Sequence, residues 1–213
     1  MTVAPPETVW LGADVSYQDA LRSQEAQVTS LQAGNAEERV LLLEHSPVYT
    51  IGHTRDQSSL GDTSHLPHPV IEINRGGQAT YHGPGQLVGY PILDLSNYKK
   101  SVSWYMRTLE QVTIDVLDEI GIEAKRSEGL TGVWVGDEKI AAQGVRISRW
   151  VTMHGFALNV NTDLSFYDGI IPCGIFDHGV TSIEQLVGEK QDMEIVKQVV
   201  IKKFNQNFIQ GEC

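Results

Sequence analysis

The sequence predicts an α/β protein of the α+β type, with a mixed and largely antiparallel sheet and helices packed against it. Runs of apolar and β-branched residues of strand length outnumber the helical repeats. The two strongest helical repeats, over residues 101–120 and 192–208, are separated by several such runs, so no βαβ alternation is expected. No internal repeat or linker composition divides the 213 residues, and 41% apolar content is enough to bury a core. Residues 1–213 are therefore expected to form a single domain.

Taken in order, residues 8–11 read as a short strand. Ser16-Tyr17-Gln18-Asp19 has capping-box spacing, which opens a helix running to about residue 33, where Gly34-Asn35 ends it. Residues 39–45 form a continuous apolar run of strand length, expected to be buried on both faces, and Pro47 separates it from a second run at 48–51. Residues 52–69 are rich in Ser, Asp, His and Pro without periodicity. A connection of that length inside a domain reads as a lid or partner-contact loop. Two strand runs, 70–74 and 87–93, then flank a glycine-dense crossing.

Residues 101–120 carry apolar side chains at helical spacing, with Gly121 as the stop. Val133-Trp134-Val135, the turn Gly136-Asp137-Glu138 and Lys139-Ile140-Ala141-Ala142 read as a hairpin that puts Lys139 where the turn gives way to the second strand. Residues 155–160 make a further strand. Met193, Val196, Val200, Phe204 and Phe208 mark one face of a terminal helix expected to pack on the sheet.

Composition narrows the function classes. A net charge of −11 argues against sequence-independent nucleic-acid binding, which needs a basic surface for phosphate. No apolar run approaches the roughly 20 residues of a membrane helix, and residues 1–7 lack the basic and apolar regions of a signal peptide. A cytoplasmic protein with no membrane partner is expected. Cys173 and Cys213 make no disulfide framework, which leaves Cys173 as a free thiol. His65 and His68 lack a third ligand, so no metal is expected.

The chemistry concentrates in residues 75–94. Gly76-Gly77 and Gly83-Pro84-Gly85 lack the Cβ atoms that would keep a ligand from the main chain, and Arg75 and His82 bracket that bare backbone. A second centre is Pro172-Cys173-Gly174, where proline stiffens the approach and glycine leaves the thiol accessible. A nucleophilic cysteine needs an activator, because free Cys has a pKa of about 8.5 and only the thiolate attacks. Lys139, His82 and His154 are the candidates, and spacing does not choose among them.

Four ordered motifs choose. Residues 75–94, the run from Gly136-Asp137-Glu138-Lys139 to Gln143-Gly144, His154-Gly155-Phe156-Ala157-Leu158-Asn159, and Pro172-Cys173-Gly174 followed by Gly179-Val180-Thr181-Ser182 together closely resemble the lipoyl(octanoyl) transferases. The resemblance implies the fold of biotin and lipoate protein ligase catalytic domains. It implies transfer of an octanoyl group from octanoyl-acyl carrier protein to a lysine of lipoyl domains in 2-oxoacid dehydrogenase complexes and glycine cleavage H protein, with no cofactor.

Carried over residue by residue, it makes Cys173 the acyl-thioester nucleophile and Lys139 its activating partner. Arg75, Gly76, Gly77, Gln78, Ala79, Thr80, Tyr81 and His82 match the acyl-substrate pocket, as do Ala142, Gln143 and Gly144, and Gly155, Phe156 and Ala157. His154 is a possible accessory group, and His82 is assigned to shaping the site or relaying a proton. Gln143 departs from the apolar residue usual in that strand and alters polarity near the acyl chain.

Three alternatives use parts of the same set. An ATP-dependent lipoate or biotin ligase would need no nucleophilic Cys173, a cysteine hydrolase would pair Cys173 with His82 or His154, and a binding module would dispense with Lys139. Both protein partners are acidic, so docking is expected at a cluster drawn from Lys99, Lys100, Arg107, Lys125, Arg126, Arg146 and Arg149.

Overall fold

The computed structural model describes residues 4–52, 63–170 and 179–210. Its strands, in chain order, are β1 (Glu7–Val15), β2 (Arg39–His45), β3 (Val48–Gly52), β4 (Val70–Ile73), β5 (Thr80–His82), β6 (Gln86–Ile92), β7 (Val133–Val135), β8 (Glu138–Ser148) and β9 (Val151–Asn159). The helices are α1 (Tyr17–Gln32), α2 (Val102–Ile120), α3 (Ile183–Val187) and α4 (Met193–Asn205), the last running into a π turn at Gln206–Gln210. Among the described residues no helix is long and apolar enough to cross a membrane.

A six-stranded sheet has the order β1-β2-β6-β9-β8-β7, and a three-stranded sheet the order β4-β3-β5. In the larger sheet every neighbouring pair is antiparallel except β1 and β2, which run parallel with α1 between them. That is one βαβ unit, and it corrects the expectation of none. The capping box of α1 was legible, and Ser16 does accept the Asp19 N–H. Which strands pair across a helix is a long-range contact that local periodicity does not encode.

The central strands are covered on both faces. From β2, Val40 and Leu42 enter the core formed with α2 and α4, while Leu41 and Leu43 meet Ala20 of α1 on the other side. The same alternation recurs on β6, where Leu87 and Val88 point to opposite cores. Thus the unbroken apolar stretch 40–43 within the strand at 39–45 reflects burial on two faces, as expected. The terminal helix α4 packs against α2, and its Val196, Val200 and Phe204 join the core that both helices share with the sheet.

Strand β9 begins four residues before the expected run at 155. Ser148 pairs with Val151 across a two-residue turn in which Arg149 and Trp150 have φ of 51° and 67°. Such turns usually announce themselves with Asn or Gly. Here neither is present, so the hairpin left no local signal.

Candidate active site

The glycine-rich crossing lies against the face of the large sheet that α1 covers. Gly144 and Gly155 stand opposite each other on β8 and β9. A Cβ on Gly155 would come within 2.2 Å of the Gly89 carbonyl oxygen, and one on Gly144 within 2.8 Å of the Gly76 carbonyl oxygen. The bare backbone at Gly144 lets residues 75–78 settle onto the sheet, where the Gly76 N–H donates to the Val145 carbonyl at 3.2 Å, while that at Gly155 makes room for β6 at Gly89 and Pro91. Arg75 then folds back into its own loop. Its Nη1 donates to the Gly76 carbonyl at 2.9 Å, and its Nη2 to the Gln78 carbonyl at 3.0 Å and to Thr50 Oγ1 at 2.9 Å.

Between loop and sheet lies a cavity of about 460 Å³, its open mouth included. Arg75, Gly77, Gln78, Thr80 and His82 line it from the loop and β5. Ala142, Gln143 and Gly144 line it from β8, and His154, Gly155, Phe156 and Ala157 from β9. Gly76, Ala79 and Tyr81 do not line it. Gly76 is tied to β8, while Ala79 and Tyr81 are buried in the aromatic cluster behind the small sheet. Strand alternation accounts for Tyr81, because Thr80 and His82 face the cavity and the residue between them faces away.

Tyr17, Val88 and Tyr90 also line the cavity and were not anticipated. Period-two counting along β6 could have found the last two. Tyr17 arrives only because α1 starts over the site, which no local pattern marks.

Burial governs the titrating groups. His45 and His154 are pushed down to about 4 and His82 to about 3, each mainly by desolvation, with Arg75 adding to the shift at His82 and His154. All three rings are neutral at pH 7. Desolvation also raises Tyr17 to about 12 and lifts Tyr90 further above its ordinary value. Among the described residues no carboxylate lines the cavity, and the Arg75 guanidinium that does is turned to carbonyls of its own loop and to Thr50, so the space suits a mostly apolar ligand.

The hydrogen bonds fix where protons sit. His45 Nδ1 lies 3.0 Å from the Val15 carbonyl and must donate to it, so its Nε2 accepts from the Tyr90 hydroxyl at 2.7 Å. His154 has φ of 59° inside a strand, a left-handed conformation that costs about 1–3 kcal/mol for a residue other than glycine. Its N–H donates to Oε1 of the buried Gln24 at 2.9 Å, which helps hold it there. Within the described chain both amide atoms of Gln143 and Oε1 of Gln78 are buried without a hydrogen-bond partner, so polar groups do border the apolar space.

Lys139, the second residue of β8, is 5% exposed, and its Nζ lies 4.7 Å from the Trp134 ring centre. Its N–H donates to the Gly179 carbonyl at 2.9 Å and its carbonyl accepts the Thr181 N–H at 3.0 Å. Cys173 and Cys213 lie outside the described residues, as do residues 53–62 of the expected lid loop. The chain leaving the cysteine motif is nonetheless drawn to Lys139 by this short parallel pairing. His68 packs at tilted angles among the rings of Tyr49, Tyr81 and Phe166. Of the expected docking cations, Arg107 and Arg126 are committed to the buried Glu110.

The fold that carries this cavity, a mixed sheet with packed helices, has counterparts among lipoate protein ligases of known structure. Lipoate-protein ligase A bound with ATP superposes with a TM-score of 0.81 at 17% identity, covering 96% of this chain and 85% of that one. The bipartite lipoate protein ligase and its E2 lipoyl domain from Thermoplasma acidophilum gives 0.78 at 17% identity, covering 96% and 84%. These likenesses concern the fold.

Sequence carries the assignment further. The model of the lipoyl protein ligase A/B catalytic domain matches residues 16–205. The octanoyltransferase of Desulforamulus reducens is 44% identical over 200 residues, covering 92% of this chain and 88% of that protein. That of Solibacter usitatus is 48% identical over 198 residues, covering 91% and 89%. The chain belongs to the lipoyl protein ligase A/B catalytic domain family and, within it, groups with the octanoyltransferases, which are acyltransferases. The resemblance carried by the four motifs and the ligase-like α/β fold are both borne out.

Proposed function

We propose that the protein takes an octanoyl group from acyl carrier protein onto Cys173 as a thioester and passes it to the ε-amine of a lysine in lipoyl domains. The acceptors are those of 2-oxoacid dehydrogenase complexes and glycine cleavage H protein. The observation that carries this reading is the largely apolar cavity under residues 75–78, lined by the same strand β8 whose Lys139 is bonded to the chain just beyond the cysteine motif.

The Cys173 thiolate attacks the octanoyl carbonyl and the bond to the phosphopantetheine sulfur breaks, releasing that thiol. The acceptor amine then attacks the enzyme thioester, an amide forms, and the thiol of Cys173 is regenerated. Lys139 favours the thiolate by its positive charge. The cavity residues named above hold the chain by apolar contact, and Gln143 sets polarity at one point along it. Aminolysis of a thioester is downhill, so no nucleotide is consumed.

Incubating the protein with octanoyl-acyl carrier protein should give an octanoyl mass increment on the peptide containing Cys173. Initial rates with both substrates varied should give parallel lines. Intersecting lines together with a strict ATP requirement would replace this reading by the ATP-dependent ligase.

A further inference from the structure

One polar chain runs from the backbone beside Lys139 to the cavity. Asn159, the last residue of β9, donates from Nδ2 to the Thr181 carbonyl at 3.0 Å, and Thr181 is the residue whose N–H meets the Lys139 carbonyl. That contact fixes which way the Asn159 amide points, because the reversed amide would set two oxygens against each other. Asn159 Oδ1 therefore faces Gln86 and accepts from its Nε2 at 2.9 Å. Gln86 Nε2 also lies 3.1 Å from the Tyr81 carbonyl and 3.0 Å from the Tyr167 hydroxyl. With two carbonyl-type oxygens around its nitrogen, the Gln86 amide is fixed as well, and its Oε1 is the atom 2.7 Å from His82 Nδ1. An amide oxygen only accepts, so the His82 proton must be on Nδ1. All four side chains of this relay, Asn159, Gln86, Tyr167 and His82, are buried.

We infer that Gln86 and Asn159 are positioning residues that lock His82 as the Nδ1–H tautomer and reserve its Nε2 lone pair for the cavity, where it accepts a hydrogen bond from the attacking lysine amine. With one N–H held by Nε2, the amine's own lone pair is turned toward the thioester carbonyl. The C–N bond forms as the C–S bond breaks, and the amine proton ends on the departing sulfur. Burial keeps the ring neutral, so Nε2 acts as an acceptor and does not carry the proton away. His45, whose ring centre lies 5.5 Å from that of His82, is fixed separately through Val15 and Tyr90 and does not compete. The use of the lone pair rests on the acyl-transfer reading, whereas the tautomer does not.

The test is long-range ¹H–¹⁵N correlation on the uniformly labelled full chain at pH 7, with the His82 signals assigned by their loss in His82→Asn. The expected spectrum has a protonated Nδ1 and a bare Nε2. Asn159→Leu and Gln86→Leu should give a mixture of tautomers and lower kcat by about ten- to a hundred-fold, the scale of lost orientation, with KM for the octanoyl donor nearly unchanged. Gln86→Glu retains an acceptor for Nδ1–H and should keep the wild-type tautomer. A proton on Nε2 in the wild-type spectrum overturns the inference without any variant, as does an unchanged tautomer in a folded Gln86→Leu protein. Failure of the wild-type protein to transfer octanoyl would instead remove the proposed function and leave the tautomer standing.

Discussion

Lys139 shows how much a single residue owes to its surroundings. At 5% exposure it is among the most buried charged side chains described, yet it sits one residue past a hairpin turn, where a lysine would ordinarily be solvated. Its position follows from pairing on both edges, with β7 on one side and residues 179–181 on the other. A nearby cation commonly shifts an acid by about 1 to 3 units. Replacing Lys139 with Met removes the charge and keeps a similar stem, so the pH profile for alkylation of Cys173 should move upward and labelling near pH 7 should slow. The sign is fixed, since losing a cation can only disfavour the thiolate. Profiles that overlay would uncouple the two residues and return the activating role to His82 or His154.

At the scale of elements, α2 is clamped to the segment leading into β7 by one carboxylate. Glu110 is 2% exposed at its side chain and accepts from Arg107 at 2.7 Å, from Arg126 at 3.0 Å and from the Gly132 N–H at 3.3 Å. Gly132 in turn abuts the Lys139 stem, for a Cβ there would meet Lys139 Cε at 3.3 Å. Removing a partner from a fully buried ion pair costs about 3–5 kcal/mol. Here Arg107 and Arg126 are 54% and 35% exposed and can rehydrate, so the loss should be smaller. Glu110→Ala is expected to lower unfolding free energy by about 1–3 kcal/mol, chiefly from the orphaned N–H and lost charged hydrogen bonds. Urea denaturation would measure it. An unchanged midpoint would mean that the clamp contributes nothing.

For the molecule as a unit, the three buried neutral histidines found among the described residues make stability depend on pH well above the carboxylate range. His45 and His154 fall to about 4 and His82 to about 3, below the ordinary histidine value of 6.5. The unfolded chain therefore binds more protons than the folded one between those values. The stabilisation is complete above pH 6.5 and is lost as pH falls, by about 1.4 kcal/mol per unit for each histidine inside its window. Urea midpoints should be flat from pH 7 to 8 and fall steadily from pH 6.5 to 4.5. A midpoint that holds to pH 5 would show that the rings are already protonated in the folded protein.

The α/β class, the capped helices, the doubly buried strand at 39–45 and the membership in an acyl-transferring family were all legible in the residues alone. Each rests on information carried by neighbours in the chain, such as the hydroxyl of Ser16 reaching its own first turn or the spacing of glycines around Arg75. That β1 and β2 run parallel, that Tyr17 and Tyr90 enter the cavity while Tyr81 turns away, and that Asn159 reaches His82 through Gln86 emerged from the folded chain. Those facts depend on which distant segments meet and in what register. A strand's period of two tells which residues share a face and leaves open what that face is pressed against.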